Sequence, residues 1–131
     1  MGYKALLTKA DHNSELGEYA EEKEYFDVAI SRYYYALYEK AIYIAKKRNF
    51  YLEPKTGLGS HETFINHFTK NVSSKLKPEE LRMMGKMKAL KRLRVIADYK
   101  EESMENISTY NLKFKYYFNS INSIFDRLIG W

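Results

Sequence analysis

The stretch that decides the fold runs from Phe26 to Ala45, FDVAISRYYYALYEKAIYIA. At roughly 100° per residue, Phe26, Ala29, Ile30, Tyr33, Tyr34, Leu37, Ala41, Ile44 and Ala45 fall on one broad face, the stripe expected to meet a core. Val28, Tyr35 and Ile42, spaced at seven, form a narrower apolar stripe on the opposite side. A helix apolar on two sides is either central in its own bundle or shared with a second copy of the chain. Val28, Tyr35 and Ile42 are therefore the candidate dimer-interface residues. Tyr33, Tyr34, Tyr35, Tyr38 and Tyr43 fit either place, because a tyrosine can bury its ring and keep its hydroxyl wet.

Outward from this stretch, apolar residues keep recurring at three and four, and alternating strand patterns are absent. The spacing predicts five helices. The first covers about Tyr3 to Glu22, with Asp11–Ser14 and Gly17 as places where it could break. The second runs from near Tyr25 to just before Phe50. A loop around Pro54 and Gly57-Leu58-Gly59 leads to the third, from Ser60 as N-cap, with Glu62 in its first turn, to about Lys75. Pro78, Glu79 and Glu80 open the fourth, which ends near Tyr99. The fifth spans roughly Glu105 to Leu128. The expectation is an all-α, up-and-down bundle of about five helices, with residues 1–131 as one domain.

Composition narrows the chemistry. The 131 residues contain no cysteine, which excludes disulfides, thiol catalysis and cysteine-ligated metal sites. No secretory pattern opens the chain and no apolar run approaches the ~20 residues of a membrane span, so a cytoplasmic protein with no membrane partner is expected. The net charge of +5 is unevenly laid out. Seven acids and one base lie between Asp11 and Asp27, whereas six bases and no acid lie between Arg82 and Arg94. Such polarity can steer an anion to one surface or pair two regions of the fold.

The fourth helix carries an anomaly. Met83, Met87, Leu90, Leu93 and Ala97 make its apolar face, and Arg94 projects into the edge of that face. Lys88, Lys91 and Arg92 lie on the other side, as a solvated basic stripe that could bind a substrate. A buried guanidinium without a partner is expensive, so Arg94 needs an acid or a polar cleft, and Asp98 is four residues on. Either a structural ion pair or an anion-binding cleft satisfies this requirement.

Of the histidines, His12, His61 and His67, none makes a metal set, and no glycine-rich phosphate loop occurs. No cofactor is expected. A metal-free reaction on RNA stays open, in which the 2′-hydroxyl attacks its own phosphate while an arginine steadies the charge and a histidine moves protons. Arg94 suits the first role and His61 is the best candidate for the second.

Three motifs, in order, resemble those of HEPN domains. Ser31-Arg32-Tyr33-Tyr34-Tyr35-Ala36 is similar to the Ser-Arg-x-Tyr-Tyr-Ala stretch of their second helix, and Gly59-Ser60-His61 to the Ser-His motif opening their third. Arg94-Val95-Ile96-Ala97-Asp98-Tyr99 is similar to the Arg-x-x-Ala-Asp-Tyr element of one subgroup. The resemblance covers about Tyr3 to Leu128. It implies an all-α bundle, a homodimer with a cleft between protomers, and one of two functions. One is a metal-independent endoribonuclease of toxin–antitoxin, phage-defence or CRISPR-linked systems. The other is a non-catalytic module that binds RNA, a nucleotide, or a partner protein such as an antitoxin or a nucleotidyltransferase. In the nuclease pattern a histidine follows the arginine after four to six residues; here Tyr99, Lys100 and Glu101 hold those offsets. In the nuclease reading Arg94, which matches the arginine of that pattern, and Arg32 would hold the phosphate, Asp98 would orient Arg94, and His61 or Tyr99 would move protons.

Overall fold

The computed structural model describes residues 2–53, 60–100 and 106–131, and these form an all-α bundle. A 3-10 turn, Gly2–Lys4, leads into α1 (Ala5–Glu22), and α2 (Phe26–Lys47) returns beside it. Then come α3 (Ser60–Val72), α4 (Pro78–Met84) and α5 (Met87–Tyr99). The last rod is continuous: α6 (Ile107–Tyr110), a π turn (Asn111–Lys115) and α7 (Tyr116–Ile129). No strand occurs among the described residues, and no helix is long and apolar enough to cross a membrane. The loop around Pro54 and Gly57-Leu58-Gly59, the Glu105 helix start and the Glu101 offset lie outside the described residues.

Helix α2 is the central element, packed against α1, α5 and α7. All nine residues of its broad stripe are buried, and Ser31, Ala36, Tyr38 and Lys40 are buried as well. Burying a polar group there is costly unless it is bonded. Lys40 donates to Asn122 Oδ1 and Asp126 Oδ1, both at 2.7 Å, so its ammonium is paired where α2 meets α7. The acidic end of α1 is used in the same way: Glu21 accepts from Tyr110 Oη at 2.8 Å and from Lys115 Nζ at 2.6 Å, and Lys115 also donates to Tyr33 Oη at 3.1 Å. Part of the charge polarity read from the sequence therefore joins the first helix to the last.

Two expectations are corrected. Helix α1 does not break at Asp11–Ser14 or Gly17. A Cβ on Gly17 would lie 2.8 Å from Tyr33 Cδ1, so the glycine serves the close approach of α1 to the tyrosine ring. The fourth helix is two helices. Gly85 N–H bonds to Arg82 O and Lys86 N–H to Met83 O, tight i→i+3 bonds that end α4 at a poor helix former before α5 begins. The last rod is capped by Asn106, whose side chain accepts from the Ser108 and Thr109 amides.

The π turn has a packing cause. Tyr110, Phe114 and Phe118 are all buried and stacked, with centroids 5.7 and 5.8 Å apart. In a regular α-helix, residues four apart drift by about 40° each time. The wider turn cancels that drift and keeps the three rings in line. Ile121, Phe125 and Leu128 then resume ordinary spacing.

Gly17→Ala is expected to destabilise the fold by about 1–3 kcal/mol, since the ring of Tyr33 sits between α1 and the last rod and cannot retreat freely. Chemical denaturation measures it; an unchanged midpoint would mean that the α1–α2 contact is loose.

Candidate functional site

The site is built from the last two turns of α5, the middle of α2 and the first turn of α3. Arg94, on α5, is 7% exposed. Its guanidinium carbon lies 5.4 Å from the Tyr34 ring centroid and 5.3 Å from that of Tyr35, so α2 supplies two aromatic faces for the cation. One turn on, Asp98 Oδ2 accepts from Arg94 Nη1 at 3.4 Å, from a side chain 22% exposed. Close charge-assisted pairs run at about 2.7–2.9 Å, so this bond is long. Arg94 Nε is buried and has no hydrogen-bond partner among the described residues. The arginine is thus desolvated, stacked, and only partly bonded.

His61 joins this cluster from α3. Its ring stacks on Tyr38 with centroids 4.1 Å apart and planes 17° from parallel, and Nδ1 lies 3.5 Å from Tyr34 Oη. Tyr34 therefore touches both partners: its ring faces Arg94 and its hydroxyl reaches His61. Burial, then the charge of Arg94, then that of Lys91 hold the His61 imidazole below its ordinary 6.5. It is neutral at pH 7. Burial also raises the tyrosine hydroxyls, Tyr38 to about 12 and Tyr34 further, so both stay protonated. Tyr38 Oη is itself buried without a partner among the described residues.

The remaining expected site residues fall in different places. Tyr99 is 73% exposed at the end of α5. Arg32 donates to Asn13 Oδ1 at 3.3 Å. With Asp27, Val28, Ser31, Ala97 and Asp98 it lines a hollow of about 190 Å³ between α2 and α5, so Asp98 faces both this hollow and Arg94. Lys88 pairs with Glu62 across to α3 at 3.3 Å. Lys91 is half-buried and contributes to the field at His61, while Arg92 is exposed. The stripe Val28, Tyr35 and Ile42 is divided: Val28 is exposed, Tyr35 lies under Arg94, and Ile42 packs on the core. Among the described residues, no group of three or more His, Asp or Glu could hold a metal ion.

The sequence pattern puts Tyr34 on the core stripe and lets Tyr38 fit either burial or a shared face; in the structure the two tyrosines connect Arg94 and His61. Their i, i+4 spacing, with Tyr35 between, is the signal that could have marked an aromatic platform. Comparison with protein-family models, with curated proteins and with solved structures finds no match.

Because His61 is held neutral by the fold, the unfolded chain binds a proton that the folded chain does not at pH just below 6.5. This contribution to stability is complete above 6.5 and is lost as pH falls through the depressed value. Melting curves from about pH 7 to about pH 5 should show a steeper loss in the wild type than in His61→Gln. Parallel losses would place the imidazole in water.

Proposed function

We propose that this chain is a HEPN-like, metal-independent endoribonuclease in which Arg94 binds the scissile phosphate and His61 moves protons. The observation that carries the reading is an under-bonded, desolvated guanidinium sharing Tyr34 with a neutral imidazole. An anion completes the bonding that Asp98 leaves loose, and low local polarity strengthens that contact. In the tautomer with its proton on Nδ1, His61 donates to Tyr34 Oη and keeps the Nε2 lone pair free. That lone pair takes the proton of the RNA 2′-hydroxyl as its oxygen attacks phosphorus. The bond from phosphorus to the 5′-oxygen breaks, leaving a 2′,3′-cyclic phosphate and a 5′-hydroxyl that receives the proton. Arg94 opposes the charge growing on the phosphoryl oxygens. Asp98 orients Arg94 from the adjacent turn. Tyr99 is the weaker candidate for moving protons: it is 73% exposed at the end of α5.

A second reading, a non-catalytic module for RNA, a nucleotide or a protein partner such as a nucleotidyltransferase, draws on the 7% exposure of Arg94, which offers a ligand only the edge of the guanidinium. The two readings part on product. Wild type incubated with total RNA in EDTA should yield cyclic-phosphate ends, with loss of at least ~100-fold in Arg94→Ala and in His61→Ala. Intact RNA with the folded wild type would leave the binding module.

The same proposal includes a homodimer. Val28, 43% exposed beside the hollow, and Tyr99, next to Asp98, are the apolar surface that a second copy would cover. Light scattering should give a dimer for wild type and a monomer for Val28→Glu; a monomeric wild type contradicts this part.

A further inference from the structure

The hollow beside Asp98 has a composition that the phosphate chemistry does not use. It is lined by Asp27, Val28, Ser31, Arg32, Ala97 and Asp98, and its volume is about 190 Å³. A protein cavity of about 150 Å³ accepts one benzene ring, so this space suits a single heterocycle rather than a whole nucleotide. The lining sets acceptors on Asp27 and Asp98 beside the donors of Arg32, so it suits a neutral occupant that both donates and accepts. Ser31 is 5% exposed and Asp27 half-buried, which makes these groups walls of a formed hollow on α2 rather than a surface cluster. Asp27 takes no part in the ion pairs of the described residues, and Asp98 is engaged by Arg94. One carboxylate is therefore free to accept. Arg32 spends Nη1 on Asn13 and retains its other N–H groups to donate.

Among the RNA bases, guanine matches this set. Its Watson–Crick edge places the N1–H and N2–H₂ donors side by side, a pair that one carboxylate accepts together. Its O6 and N7 acceptors are the atoms an arginine contacts bidentately. Adenine and cytosine each offer one amino group to Asp27 and would set a ring nitrogen acceptor against the carboxylate. Uracil offers a single N–H between two carbonyls. Ala97 is an apolar wall that such a ring would meet. Asp98 joins the two places: the wall of the hollow is also the partner of Arg94.

We infer that the Asp27–Arg32 hollow is a guanine-reading subsite that selects the nucleotide flanking the phosphate at Arg94. This inference rests on the proposed RNA chemistry of that arginine, and it adds a specificity that the chemistry alone does not require.

Calorimetric titration of the full chain with the four ribonucleoside 3′-monophosphates tests it without depending on cleavage. Guanosine monophosphate should bind at least ~10-fold more tightly than the other three, the discrimination one good bidentate pair confers. Asp27→Asn, which keeps size and removes the charge, should level the four affinities while leaving the weaker common binding in place. Arg94→Gln should lower all four together. Four equal wild-type affinities that fall in Arg94→Gln would overturn the guanine subsite and leave the phosphate site standing. Binding of none would overturn both, and a guanine preference unaltered in Asp27→Asn would overturn the assignment to this hollow.

Discussion

The site depends on one constraint: a guanidinium taken out of water must be compensated on every side. Arg94 is compensated unevenly. Two tyrosine faces of α2 lie against the cation, Asp98 reaches it through one long bond, and Nε has no partner among the described residues. A purely structural arginine would be expected to close its bonding with short contacts, as Lys40 does with Asn122 and Asp126 at 2.7 Å. The contrast between these two buried cations, on adjoining helices of one bundle, distinguishes a group that serves the fold from one that remains short of an acceptor.

Helix α2 makes the arrangement rigid. It is buried nearly all round, held to α1 through the Gly17–Tyr33 contact, to the last rod through Lys40, and to both through the Glu21–Lys115–Tyr33 bonds. Tyr34 and Tyr38 therefore stand on a fixed scaffold, and His61 docks flat against Tyr38 from the start of α3. The desolvation that fixes these rings also sets their chemistry. It holds the imidazole below its ordinary 6.5 and raises the phenols above theirs. The same helix presents Ser31 and Arg32 to the hollow on the far side of Asp98, so one element supports both halves of the site.

Much of the fold was legible in the sequence, because the three-and-four spacing of α2 is long and unbroken. The misplaced Arg94 was legible as well, since a charge on an apolar stripe is a local property of one helix. What escaped was non-local. Gly17 looked like a helix breaker until Tyr33, sixteen residues on, supplied the reason for it. Gly85 lies within an apolar pattern that continues across it, so that pattern does not mark the division of α4 from α5. The π turn was hidden because Tyr110, Phe114 and Phe118 keep an i, i+4 spacing that an α-helix also tolerates over short runs. The placement of His61 on Tyr34 and Tyr38 depends on how α3 packs on α2, which no spacing within either helix encodes.

The central claim is that Arg94 and His61 form one electrostatically coupled site across three helices. The direct measurement is the His61 pKa, followed by NMR through the imidazole carbon shifts, in wild type and in Arg94→Gln. The account predicts a value below 6.5 in wild type that rises when the guanidinium is removed. A wild-type value at or above 6.5, or one that does not respond to Arg94→Gln, would contradict it.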